Sequence, residues 1–182
     1  MSNLLQGRRL QLRPLAEGDA AALFTAVDSS RAGLKRRLRW VASVASAEDC
    51  RGFIRASCAA AQRGEREVYA VIESRSGALV GVAALQGMLA VPGLAELSLW
   101  IRCDRQDRGY AAEAGKLLVT HAFRRDVLHK LYARIDPANR PARKVLQKMG
   151  FRYEGCLRHD RRRNGRWIDQ ECWGLIRVEW RR

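Results

Sequence analysis

The sequence predicts an α/β fold: a mixed, mostly antiparallel central sheet flanked by helices, in a single domain covering residues 1–182. Three observations carry this. From Arg66 the apolar period shortens to two, and REVYAVIES, ALVGVAALQG and LAELSLWIR follow one another across SG and VPG turns as an antiparallel meander. Next, the strand LAELSLWI, an alanine-rich helix to about Arg125, the strand HKLYARID and the helix NRPARKVLQKMG form a βαβα succession, which requires parallel pairing. Finally, two strand-like segments flank Asn164 and Gly165, a strong hairpin signal.

The remaining elements follow from local chemistry. RRLQLRPL alternates Leu10 and Leu12 with polar neighbours and stops at Pro14, as a short edge strand does. AEGDAAALFTAVD carries apolar residues at helical spacing and is expected to end near Asp28, before the turn signals SSRAG. Ser46 followed by Asp49 resembles a capping box and opens a helix that runs to Gly64. Gly150 closes the helix that begins after Asn139.

Composition narrows the function classes. No run of eighteen apolar residues occurs, and MSNLLQGRRLQLRPL lacks the basic start, apolar stretch and cleavage site of a signal peptide, so a cytoplasmic protein without membrane contact is expected. Five cysteines form no CxxC pair and three histidines are widely spaced, which fits reduced thiols and no metal site. The net charge of +15 attracts polyanions, although a charged face is usually only a solvated one. The basic clusters at 31–40 and 158–166 lack the interleaved aromatics of single-strand nucleic-acid platforms.

RQDRGYAAEAG, residues 105–115, leaves a strand and enters a helix. A helix N-terminus presents unpaired N–H groups and the positive end of the dipole, and Gly109 lets a backbone approach an anion closely. The spacing fits neither a dinucleotide GxGxxG nor a Walker loop. QDRGYA at 106–111 resembles the R/Q-x-x-G-x-G/A pyrophosphate loop of the GNAT acetyltransferases, and GYAAEA is similar to their RimJ/RimL type. RLQLRPL, RLRWV around Trp40, LVGVAAL, AELSLWI, IDPANRPARKVLQKMGFRYEGC and NGRWID fall in that family's order and spacing.

The resemblance implies a GNAT fold with acetyl-CoA as cosubstrate and no metal. It implies that the pantetheine arm pairs with the backbone of Leu99, Trp100 and Ile101, the end of the fourth predicted strand. The pyrophosphate would rest on the loop of Gln106, Asp107, Arg108, Gly109, Tyr110 and Ala111, with Asn139 beside the cofactor arm and Arg143 and Lys144 in reach of phosphates. The family's serine and tyrosine that serve the departing thiolate are replaced by Ala142 and Leu146, and Asp107 stands where glycine is frequent. Glu96 is the first candidate for the general base, with an acid turned to solvent or paired with arginine as the alternative reading. Asp160 and His159 on the late hairpin follow, the strictly corresponding position being Arg161; Trp40 matches the acceptor side, where Arg36, Arg37 and Arg39 could grip an acidic peptide.

The expected activity is acetyl transfer from acetyl-CoA to a primary amine, the N-terminal α-amine of a ribosomal or acidic protein. With a pKa of roughly 7.7 to 8.0, such an amine is partly neutral near pH 7. A small-molecule amine, amino acid or antibiotic is the alternative acceptor, and a CoA-binding module impaired in catalysis is the alternative class. Ribosome association and a homodimer are the further partners the resemblance allows.

Overall fold

The computed structural model describes residues 4–35, 38–125, 127–163 and 165–180. Its strands are β1 (Leu5–Gln6), β2 (Leu10–Pro14), β3 (Arg66–Glu73), β4 (Leu79–Gln86), β5 (Leu94–Ile101), β6 (Lys130–Ile135), β7 (Arg152–Arg163) and β8 (Arg166–Ile176). The helices are α1 (Ala20–Leu34), α2 (Ala47–Gln62), α3 (Tyr110–Arg124) and α4 (Arg140–Lys148). All eight strands join one sheet in the order β1-β2-β3-β4-β5-β6-β8-β7. Every neighbouring pair is antiparallel except β5 and β6, the pair bridged by α3.

The meander, the βαβα succession and the hairpin thus occupy the positions their periodicity predicts. The two-residue β1, too short for a periodic signal, adds an outer strand by pairing Leu5 with Leu12. Helix α1 differs from expectation: it passes through the SSRAG signals and ends at Leu34 rather than near Asp28. Ser29 donates to the Ala26 carbonyl (3.1 Å) and the buried Ser30 hydroxyl accepts the Cys103 N–H (2.9 Å), so both hydroxyls are satisfied without breaking the helix. Burial of Leu34 adds to that, outweighing the turn preference of the sequence. The capping box of α2 forms as predicted, with Asp49 N–H on Ser46 Oγ (3.2 Å) and Ser46 N–H on Asp49 Oδ2 (2.8 Å).

Alternation along the strands makes two cores. Ala95, Leu97 and Ile101 of β5 pack with Leu118 of α3, Leu146 of α4 and Phe151 on one face. On the other, Trp100 packs against a core built from Leu23, Val27 and Ile54 of α1 and α2 together with Val82 and Ala84. Glu96 and Ser98 share the face of Trp100 by the same alternation. Among the described residues no helix is long and apolar enough to cross a membrane.

Candidate functional site

The sheet splits at its one parallel junction. Leu94, Ala95 and Glu96 pair with Lys130, Leu131 and Tyr132, and there the β5–β6 ladder ends. Beyond that point β5 stays paired with β4 as far as Ile101, and β6 stays paired with β8 as far as Ile135. The backbone of residues 97–101 therefore lines a wedge with no ladder partner on its β6 side. Gln106 closes the end of the wedge by donating its side-chain N–H to the Ile101 carbonyl (3.0 Å).

At the mouth of the wedge the loop 106–111 turns into α3. Gly109 precedes the helix with φ 79°, a left-handed conformation that favours glycine. Asp107 is also left-handed, at φ 59°. Aspartate tolerates that conformation better than most residues, and its exposed side chain leaves the loop backbone clear. The N–H groups of Tyr110, Ala111 and Ala112 head the helix without intrahelical acceptors, at the positive end of the dipole.

Two contacts that the sequence did not reveal hold this loop. Arg9 donates its backbone N–H and its Nε to Glu113 (2.7 and 2.8 Å) and its Nη1 to the Arg108 carbonyl (2.9 Å), while its guanidinium covers the Tyr110 ring. Tyr110 is buried and donates its hydroxyl to Glu73 (2.6 Å), so only its backbone faces the loop. The hydroxyls of Ser76 and Tyr110 hold the Glu73 carboxyl below its usual range. A groove of about 530 Å³ continues along α3, lined by Arg8, Ala112, Lys116 and Lys148 among others.

On the far side of the wedge, Asn139 precedes α4. Arg143, expected within reach of phosphates, has a partner in the protein itself. Its guanidinium is committed to Glu171 (2.5 and 3.2 Å) and the Pro137 carbonyl (3.2 Å), pinning α4 to β8, so a phosphate would have to break that pair. Lys144 is exposed. Leu146 is buried in the core, and neither it nor Ala142 offers a hydroxyl to the wedge.

The opposite face of the sheet carries a polar row. Arg66 lies across from Gln86, Gln86 across from Glu96, and Glu96 across from Tyr132. Gln86 Nε2 is 3.3 Å from Glu96 Oε2. Burial, and then the charge of Glu96, push the Tyr132 hydroxyl above its ordinary pKa. Arg134 lies over the Tyr132 ring and 3.8 Å from Asp160. Asp160 follows His159, whose φ of 51° sits in a bulge of β7 and whose N–H donates to Asp169 (2.9 Å). Trp40 stacks on Phe53 with ring centroids 4.4 Å apart, at the α2 side of the same row. Arg36, Arg37, Asn164 and the side chain of Arg39 lie outside the described residues. The alternation of HKLYARI could have placed Tyr132 and Arg134 on one face, but only the parallel register sets Tyr132 beside Glu96.

Comparison with known proteins adds an independent line. A family profile described as an acetyltransferase (GNAT) domain matches residues 9–152. The ribosomal-protein-serine acetyltransferase of Escherichia coli (strain K12) is 23% identical over 167 residues, 92% of this chain and 92% of that protein. The spermidine N(1)-acetyltransferase of the same strain is 33% identical over 91 residues, 50% of this chain and 49% of that protein. Among solved structures, RimL, a ribosomal L7/L12 alpha-N-protein acetyltransferase in complex with coenzyme A, aligns with a TM-score of 0.88 at 22% identity, covering 96% of this chain and 98% of that one.

Proposed function

Because the chain belongs to the GNAT acetyltransferase family and so moves an acetyl group from acetyl-CoA to an amine, we propose that its acceptor is the N-terminal α-amine of a protein. The observation that carries this reading is the split between β5 and β6, which leads from the anion-receptive loop at Gly109 to the polar row around Glu96. The end-to-end likeness to a ribosomal-protein-serine acetyltransferase supports a protein acceptor; the likeness to a spermidine acetyltransferase spans only half of each chain. A polycationic acceptor would also meet Arg66 and Arg134 beside the row, two cations that repel it.

In this reading the N–H groups of the loop 106–111 and the start of α3 receive the pyrophosphate, with Gly109 leaving room for it. Arg8, Lys116 and Lys148 along the adjoining groove suit the remaining phosphate of the cosubstrate. The unpaired backbone of residues 97–101 takes the pantetheine arm and polarises the thioester carbonyl; one such donor lowers a barrier by about 3 kcal/mol. Glu96 accepts the proton of the amine, directly or through water. Asp160 turns toward Arg134, which leaves Glu96 the better-placed base. With no hydroxyl at positions 142 and 146, water serves the departing thiolate. The surplus of basic side chains favours an acidic or ribosome-borne substrate met in the cytoplasm.

A thiol-release assay with acetyl-CoA against short peptides, amino acids and spermidine tests the proposal. Turnover is expected with peptide α-amines; turnover confined to free small amines would overturn it.

A further inference from the structure

Arg66 opens β3 on the face that carries Glu96, and its side chain differs from those of other partly buried arginines. Arg9, Arg13 and Arg143 each hold a carboxylate, on Glu113, Asp19 and Glu171. Among the described residues the Arg66 side chain has neither an ion pair nor a hydrogen bond, and its Nε is buried without a partner. The flanking carboxylates are already engaged: Glu65 with Arg63, and Glu67, on the other face of the sheet, with Arg125 and His121. The guanidinium instead lies 5.4 Å over the ring of Phe53, which is itself stacked on Trp40. Burial pulls its pKa below the ordinary arginine value.

A half-buried cation without a counter-charge is unfavourable for the fold, and an incoming anion relieves it. The sheet register says where that anion would come from. Arg66, Gln86 and Glu96 are successive cross-strand neighbours, so two strand spacings, roughly 10 Å, separate Arg66 from Glu96. That is the reach of about three extended residues. We propose that Arg66 is a specificity-determining residue: with the amine at Glu96, it receives a carboxylate on the second or third residue of the acceptor, and so selects acidic N-terminal segments. The Phe53 ring, stacked on Trp40, supports the guanidinium, and Gln86 fills the intervening step with a neutral side chain that does not compete for the charge.

The inference rests on the reading that an α-amine reacts at Glu96, and one experiment separates the two. Peptides with the same first residue, and Asp or Glu against Asn or Gln at positions two and three, are compared by kcat/KM at low salt. The wild-type enzyme is expected to favour the acidic peptides by roughly tenfold, the scale of one charge-assisted hydrogen bond. In Arg66→Gln the acidic-to-amide ratio falls to near one, while kcat on the amide peptides stays within about twofold. Arg66→Lys keeps part of the preference. Should Arg66→Gln fail to fold, Arg66→Met, which retains the stack on Phe53, carries the same expectation. A wild-type ratio near one, or a ratio that survives loss of the guanidinium, would overturn the inference. If peptides give no turnover and small amines do, the peptide reading falls and the inference falls with it, because the side-chain carboxylate of a single amino acid does not span the roughly 10 Å between Glu96 and Arg66.

Discussion

Gly81→Ala strikes the strand that the proposed mechanism depends on. Gly81 sits in β4 opposite Ile101 of β5. A Cβ there would lie 2.2 Å from the Trp100 carbonyl oxygen and 3.2 Å from the Ile101 Cα. Both are backbone atoms, so no rotamer change removes the clash. Ordinary contact begins at 3.4 Å, so the two strands have to part by roughly 1 Å. Overpacking of this kind costs about 1–3 kcal/mol, which in a chain of this length is a fall in Tm on the order of 5 °C. The displaced atoms belong to Trp100 and Ile101, where the pantetheine arm is placed, whereas Glu96 lies at the other end of the β4–β5 ladder. The KM for acetyl-CoA should therefore rise more than the KM for the acceptor. Calorimetric melting with and without coenzyme A, together with both KM values, measures this. Gly52→Ala on α2 is the control: nothing lies within 4 Å of its Cβ, and removing a helical glycine should stabilise by about 0.5–1 kcal/mol. Wild-type melting and wild-type KM in Gly81→Ala would refute the close approach of the strands and the cofactor placement built on it.

Other expectations follow from the same geometry. Gly109→Glu puts a side chain on a left-handed residue and an anion at the helix N-terminus, and should raise the KM for acetyl-CoA by roughly tenfold or more, as steady-state kinetics would show. Glu96→Gln should slow turnover most at low pH, where the amine is protonated; a pH-rate profile of unchanged shape would remove Glu96 from the role of base. Burial by itself would raise the Glu67 carboxyl, but hydrogen bonds and charge from His121, Arg125 and Tyr69 outweigh it and lower the pKa from 4.5 to about 2. A depressed carboxylate stabilises the fold above its unfolded pKa and loses that contribution as pH falls toward the folded one, a difference of roughly 3 kcal/mol. Thermal melting of Glu67→Gln should accordingly trail the wild type at pH 7, and the gap should close as the pH falls from about 4.5 toward 2.

Part of the candidate site was legible because its chemistry is local. Gly109 and the alanines after it mark a helix entry whose N–H groups lack intrahelical acceptors, and the loop lies at the mouth of the wedge. Glu96 was legible as a residue but not as a site. Its neighbours Gln86 and Tyr132 lie ten and thirty-six positions away in the chain and meet it only through pairing. Arg143 shows what position alone omits. Its position at the start of α4 pointed to phosphates, yet the carboxylate of Glu171, twenty-eight residues on, captures it. In α1 the serines read as a stop until Cys103 supplied a distant donor to Ser30.

The sequence by itself determined the order and type of the elements other than β1, the capping box at Ser46, the glycine at the entry to α3 and the lack of hydroxyls at Ala142 and Leu146, since each depends on residues a few positions apart. Only the tertiary structure decided that β5 and β6 part after three paired residues, that Arg9 clamps the loop, and that Arg66, Gln86, Glu96 and Tyr132 form one row. Those features depend on strand register, which is set by the burial of whole sheet faces against α1, α2, α3 and α4 and by no single stretch of the chain.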